Sequence, residues 1–348
     1  MFTSFAQILI TLSVLPFMFF MNMRVRLIVF VILGCATLLV YSPASLWFLI
    51  LVVLQALVLE RILRDFPKKS YIRQYVPYVL LINIFYTDVS AGWLGNWNLG
   101  SLAVGFSVVR IFMTTKQLLG SRNTTTGERV LSTTAAAFFF PALAVGPIFS
   151  GHTLWKQSIS EIPEPPPTEL QFRKLFGGWV LTSLVAQAVL LRAERDFGFP
   201  VRLTEMALLF INLFATFWGR SLIAEGTAGL AGFVLPQNFD KPWLARDIRD
   251  FWARWHISMA KFVTQYIFLP LRLRGLNPQF ATFMAFVFMG FWHEVRPGYI
   301  IWGCVHGVLM AKAPSASSIN SVILRFGYRI MTLSVVVGLS YTANYAFK

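Results

Sequence analysis

Arg246-Asp-Ile-Arg-Asp-Phe-Trp-Ala-Arg-Trp-His256-Ile-Ser258 and, further along, Gly290-Phe-Trp-His293 are the two fragments on which the reading of this chain turns. Three of its four histidines, His256, His293 and His306, fall between Arg246 and His306, and two of them directly follow a tryptophan. The second fragment closes a long apolar run. A titratable imidazole at membrane depth is costly unless it has a partner or a task, so histidines set in such surroundings are candidate functional groups.

The composition around these fragments sets the class. Of 348 residues, 56% are hydrophobic, 16% aromatic and only 13% charged, against about 25% charged in water-soluble domains. Mean hydropathy is +0.64. This excludes a water-soluble globule and predicts an all-α, multi-pass membrane protein. The formal charge of +15, from 30 basic and 15 acidic residues, must sit in the loops because the apolar runs hold almost none of it. Spread among spans and attached to no recognised module, it gives no reason to expect nucleic acid as a partner. Cys35 and Cys304 both lie in apolar runs, so neither a disulfide framework nor a metal site is expected.

Apolar runs suggest spans at about 5–22, 27–42, 45–60, 75–93, 97–115, 131–150, 175–191, 203–219, 258–272, 278–293, 298–312 and 319–346. Several are shorter than the roughly 20 residues a perpendicular helix needs, which predicts tilted, broken or re-entrant pieces among about 10–12 helices. The first run is preceded by no basic residue and reads as a retained span, with the N-terminus outward. Ile32-Leu-Gly-Cys35 faintly resembles a lipoprotein cleavage box, but the apolar sequence continues past it, as in a span. Arg24 and Arg26, then Arg61, Arg64, Lys68, Lys69 and Arg73, then Lys116, Arg122 and Arg129 occupy alternate loops, while those around Ser42–Ser45 and Asp88–Trp97 carry no Lys or Arg. The basic loops are therefore expected on the cytoplasmic side. Residues 161–168, rich in proline, read as a loop. The chain reads as one membrane-embedded domain over 1–348.

Two further stretches bear on the site. Gly219–Pro236 interrupts an apolar run with Gly219, Gly226, Gly229, Gly232, Arg220 and Glu225. This suits either a re-entrant element lining a cavity or small residues that let two helices approach closely. Asp250 and Arg254 lie four apart, as do Trp252 and His256, which predicts one interfacial helix running on through Leu271. His152, after Ser150-Gly, reads as a loop histidine.

Taken in order, Phe138-Phe-Phe-Pro-Ala-Leu-Ala-Val-Gly-Pro-Ile148, Pro236-Gln-Asn-Phe239, Asp250-Phe-Trp-Ala-Arg-Trp-His-Ile-Ser258, Tyr266-Ile-Phe-Leu-Pro270, Gly290-Phe-Trp-His293 and Trp302-Gly-Cys-Val-His-Gly307 resemble the membrane-bound O-acyltransferase family. The likeness is to its bacterial branch acting on alginate and other cell-surface polymers, with the D-alanine-transferring relatives, and covers roughly residues 100–312. It implies a multi-helix fold around a central cavity and acyl transfer from a thioester donor to a hydroxyl. By the same resemblance His293 corresponds to the principal catalytic histidine, His256 to the second recurrent one and His306 to a further one in the next span. Trp292, Trp255, Arg254, Asp250 and Asn238, in the same blocks, are expected to support the site or line the cavity.

The resemblance further implies no permanently bound cofactor, with acetyl-coenzyme A or another acyl-coenzyme A, or an acyl carrier protein thioester, as donor substrate. The expected partners are membrane lipid, a polysaccharide or other hydroxyl acceptor, and a separate exported acyltransferase; the expected location is the bacterial cytoplasmic membrane. The chemistry agrees independently, because transfer to an alcohol needs a base near neutral pH and an imidazole supplies one. No Gly-x-Ser-x-Gly elbow is present, which favours direct transfer over an acyl-serine route. The basic loops, with Lys241, Arg246, Arg249, Arg254, Arg272 and Arg274, offer an acidic donor a landing surface, although topology and anionic lipid account for much of such charge.

The sequence departs from the family pattern at Gly219-Arg-Ser-Leu222, where an acidic group is replaced by Arg220 and Leu222, at Gln265, and at Glu294 after the key histidine. These changes imply a different donor or acceptor, or lost activity. A Glu294 carboxylate close to His293 would favour the charged imidazole. Transfer of D-alanyl, a transporter with histidines as pore groups, and an inactive scaffold all remain open at this point.

Overall fold

The computed structural model describes residues 4–84, 99–121, 123–143, 145–160, 168–193, 202–312, 322–341 and 343. Among them the chain is helical, with a single isolated antiparallel bridge between Phe239 and Trp255 in place of any sheet. The helices Met23–Tyr41 and Pro43–Leu63, and the stretch Thr204–Leu230 of the helix Arg202–Leu230, are long and apolar enough to cross a membrane. Local chemistry sets their ends: the Asn22 side chain accepts the Val25 amide at the start of the first, and Ser42 followed by Pro43 turns the chain into the second. Ser4–Met18 is shorter and also apolar. The basic-free loop expected at 88–97, most of the proline-rich loop and part of the last span lie outside the described residues.

The chain divides into two compact units, Met1–Val180 with Gly219–Pro236, and Leu181–Trp218 with Gln237–Lys348. In the first, the core gathers Phe30, Phe139, Phe140, Phe149 and Phe233. The Phe139 ring meets Phe30, Phe149 and Phe233 edge-on at 5.2–5.7 Å, the geometry aromatic quadrupoles favour. The span expected at 131–150 is not one helix. Thr126–Phe138 is helical, capped by the Thr125 side chain on the Glu128 amide, and the chain then leaves the helix near Pro141 for an irregular, buried segment. Proline removes a donor and obstructs the preceding turn, which an apolar run alone does not reveal. The orphaned carbonyls find a partner in fully buried Arg110, which donates to Ala142 at 2.7 Å and to Pro147 at 3.0 Å.

Of the two readings of Gly219–Pro236, close packing is the one observed. The helix runs unbroken to Leu230, and a Cβ on Gly226 would stand 2.8 Å from the Gln171 carbonyl, while one on Gly229 would strike the Gln171 side chain. His152 is no loop residue: it is buried, second in the helix Gly151–Ile159, with Nδ1 3.2 Å from Glu128 and Nε2 3.2 Å from Ser121 Oγ.

The second unit is built on a helical hairpin. Pro278–His293, capped by Asn277 on the Phe280 amide, is followed by Pro297–Lys312. Glycines bring the two backbones together: a Cβ on Gly290 would lie 2.5 Å from the Tyr299 carbonyl oxygen, and one on Gly303 2.7 Å from that of Phe286. This approach brings the residues around His293 against those around Trp302.

Candidate active site

The expected continuous interfacial helix is broken at the histidine. Ile248–Arg254 ends there, Trp255 is extended, and His256 takes a left-handed conformation (φ +47°, ψ +51°) before Ile257–Val263 begins. Histidine is among the residues that tolerate this region, which the four-residue spacing could not foretell. The incoming strand-like segment fixes the break. The Asp240 amide donates to the Arg254 carbonyl at 3.0 Å and the Ile257 amide to that of Asn238 at 2.9 Å, on either side of the Phe239–Trp255 bridge. Asn238 is fully buried and its Oδ1 accepts the Ser258 hydroxyl at 2.5 Å. Beyond this point the helical path of Ile257–Val263 continues through a π-helical turn at Thr264–Phe268 into Leu269–Leu273, over the span expected at 258–272.

The reversal aims the rings. Trp255 stacks between Phe210 and Phe251, each 5.5 Å away, with Phe239 edge-on at 5.1 Å. The His256 ring meets Phe217 edge-on at 4.8 Å and lies 5.8 Å from Trp292. Trp252, expected beside His256, instead faces His306 at 5.2 Å. On the outer side Asp250 accepts Arg246 Nε at 2.9 Å through one oxygen and Arg254 Nε at 2.9 Å through the other. Burial alone would raise the Asp250 carboxyl, but these arginine hydrogen bonds outweigh it and bring it from the usual 3.8 down to about 2. Asp250 and Arg254 thus brace the helix, and Arg254 also reaches Asp240 at 3.5 Å.

His293 is the last residue of its helix, where the glycine-bridged hairpin turns. Its ring stacks on Tyr299 at 5.2 Å with planes 14° apart and meets Trp302 edge-on at 5.4 Å. Glu294 is buried, and its carboxylate ion-pairs with Arg296. His306 is fully buried behind Trp302 and Trp252. Because a carbonyl only accepts, its Nδ1 carries the proton given to the Trp302 oxygen at 3.0 Å, which leaves Nε2 a buried acceptor without a partner among the described residues.

Beside these rings lies a partly open cavity of about 420 Å³, within the range of small-molecule sites. His256, His293, Trp255 and Trp292 line it; His306, Asn238, Asp250 and Arg254 do not. Its wall also takes in Trp252, Tyr299, Trp302 and Arg249, which the sequence reading did not place there. Tyr299 and Trp302 belong because the hairpin folds them back onto His293, a relation between two helices that no local pattern announces. The arrangement holds two imidazoles in the wall of a mostly apolar, aromatic-lined space, where an imidazole is chemically able to accept a proton from a hydroxyl.

Residues 130–317, more than half of the chain, match the family described as membrane-bound O-acyltransferases. The chain belongs to that family, and so is an integral membrane protein. Among curated relatives, it is 28% identical over 191 residues to the teichoic acid D-alanyltransferase of Bacillus subtilis, covering 49% of this chain and 48% of the relative. It is 29% identical over 190 residues to the peptidoglycan O-acetyltransferase of Helicobacter pylori (50% and 35%), and 27% identical over 219 residues to a probable alginate O-acetylase of Pseudomonas aeruginosa (58% and 41%). The match thus takes in less than half the length of each of these relatives.

Proposed function

We propose that the chain transfers an acyl group, acetyl in the first instance, from a thioester donor to a hydroxyl of a cell-envelope polysaccharide, at the bacterial cytoplasmic membrane. The observation that carries the reading is the meeting of His256 and His293 in one apolar cavity, in a chain whose named relatives include O-acetyltransferases. His293 is the general base. It takes the acceptor's proton as the oxygen attacks the thioester carbonyl, the carbon–sulfur bond breaks, and the thiol leaves with the proton. Tyr299 and Trp302 hold its ring in place. His256, fixed by the backbone reversal, positions the reacting group from the wall it shares with Trp292.

The donor is acyl-coenzyme A or an acyl carrier protein, and an exported transferase that completes delivery to the polymer is the expected partner. D-alanyl in place of acetyl is the second reading, favoured by the likeness to a teichoic acid D-alanyltransferase. The test is thiol release by the purified chain in lipid, offered acetyl-coenzyme A, D-alanyl carrier protein or acetyl carrier protein. Acetyl donors alone should be consumed under the first reading and D-alanyl alone under the second. Movement of an unmodified solute with no thioester consumed would replace both with a transporter.

A further inference from the structure

The proposed reaction leaves one charged group at the cavity unused. The stretch leading into the histidine carries Arg246, Arg249 and Arg254. Arg246 and Arg254 are both committed to Asp250, each through Nε at 2.9 Å, and Arg254 also to Asp240. Arg249 forms no ion pair among the described residues, is exposed, and yet borders the cavity that holds His256 and His293. On its helix it shares a face with Trp252 and Ala253, three and four residues on, and both line the same cavity. The nearby Asp247 carboxylate is buried and accepts the Asp250 amide at 2.8 Å, capping the helix. The cavity is thus apolar within and has a guanidinium at its rim.

A ligand that fits this pattern has an uncharged reactive end and an anionic group some distance behind it. The anion stays at the rim because an unpaired phosphate is expensive to desolvate, and a guanidinium is suited to phosphate by its planar fork of donors. We propose that Arg249 is the site's phosphate-binding residue, gripping the phosphate ester of a phosphopantetheine-type donor whose thioester lies against His293. This inference rests on the thioester reading above and deepens it, because it assigns the donor's recognition to a side chain that does not touch the reacting atoms. The shared chemistry is the phosphate that follows pantetheine, whether the arm is carried by coenzyme A or by a protein.

The test is calorimetric titration of the full chain in lipid nanodiscs with S-acetyl-4′-phosphopantetheine, acetyl-coenzyme A and S-acetyl-pantetheine, which lacks the phosphate. Arg249→Gln should weaken binding of the two phosphorylated compounds by about ten- to a hundredfold, the range for losing a charge-assisted hydrogen bond, and leave S-acetyl-pantetheine unchanged. Arg249→Lys, which keeps the charge but loses the fork, should fall between. Arg249→Gln binding all three like the parent, or losing all three alike, would overturn the assignment. So would an effect confined to acetyl-coenzyme A, since the phosphate read would then belong to the nucleotide. If the parent itself bound none of the three, the thioester reading would fail and this one with it, a failure visible before any variant is made.

Discussion

At His256 one residue carries both a backbone and a side-chain task, and the two separate by substitution. Its left-handed backbone costs an ordinary side chain about 1–2 kcal/mol and glycine almost nothing. His256→Gly should therefore be more stable than His256→Ala by roughly 1 kcal/mol, read from thermal unfolding in detergent. Both should lose turnover to the same extent if the imidazole is what the reaction uses. His306 is the contrasting case, because it lies behind the cavity wall. Its Nε2 has no partner among the described residues, so His306→Phe removes a buried unsatisfied acceptor, at the loss of the Nδ1 hydrogen bond to the Trp302 carbonyl, while keeping most of the ring packing against Trp252 and Phe286. Stability within about 1 kcal/mol of the parent, with turnover within severalfold, is the expected result, and a loss as deep as that of a His293 variant would make His306 part of the chemistry. The three histidines stood out in the sequence by rarity and setting. Their division between wall and backing depends on which way Trp252 and Trp302 face, and no spacing encodes that.

The helix Ile248–Arg254 is held at its outer face by Asp250, and this makes it sensitive to acid. Because the folded Asp250 carboxyl sits at about 2, below its ordinary 3.8, the bracing is fully present above about pH 4 and is lost as pH falls toward 2. Trp252 and Trp255 flank it, so their fluorescence in lipid should shift across that window, and Asp250→Asn should remove the shift. The glycine-lined hairpin makes a second demand. A side chain at Gly303 collides with the Phe286 carbonyl at 2.7 Å, so Gly303→Val should cost roughly 1–3 kcal/mol and splay the two helices. Gly327→Ala, where a Cβ meets nothing within 4 Å, should cost little. At this scale the apolar runs foretold most of the helices. They failed at 131–150, where hydrophobicity continues through a proline-bearing break, and the four-residue spacing failed at 254–257, where the helix it predicted is interrupted by the left-handed His256.

Over the whole molecule, charge placement predicts orientation. The turn at Ser42 carries no basic residue, whereas the end of Pro43–Leu63 runs into Arg61, Arg64, Lys68 and Lys69. In a background lacking Cys35 and Cys304, a membrane-impermeant maleimide applied to intact cells should label Ser42→Cys and spare Lys69→Cys; the reverse pattern would invert the first spans. The ordered motifs carried the family from sequence alone. They did not carry the cavity, because its walls come from Phe217, Trp252, Trp292 and Trp302, which meet only once the hairpin closes on the reversed segment. The central claim remains that the two cavity histidines drive thioester chemistry. Thiol release by the purified chain in lipid, with parent, His293→Ala and His256→Ala side by side, tests it most directly. Turnover in the parent, a loss of a hundredfold or more in His293→Ala and a substantial fall in His256→Ala is the predicted result; undiminished turnover in His293→Ala would contradict it.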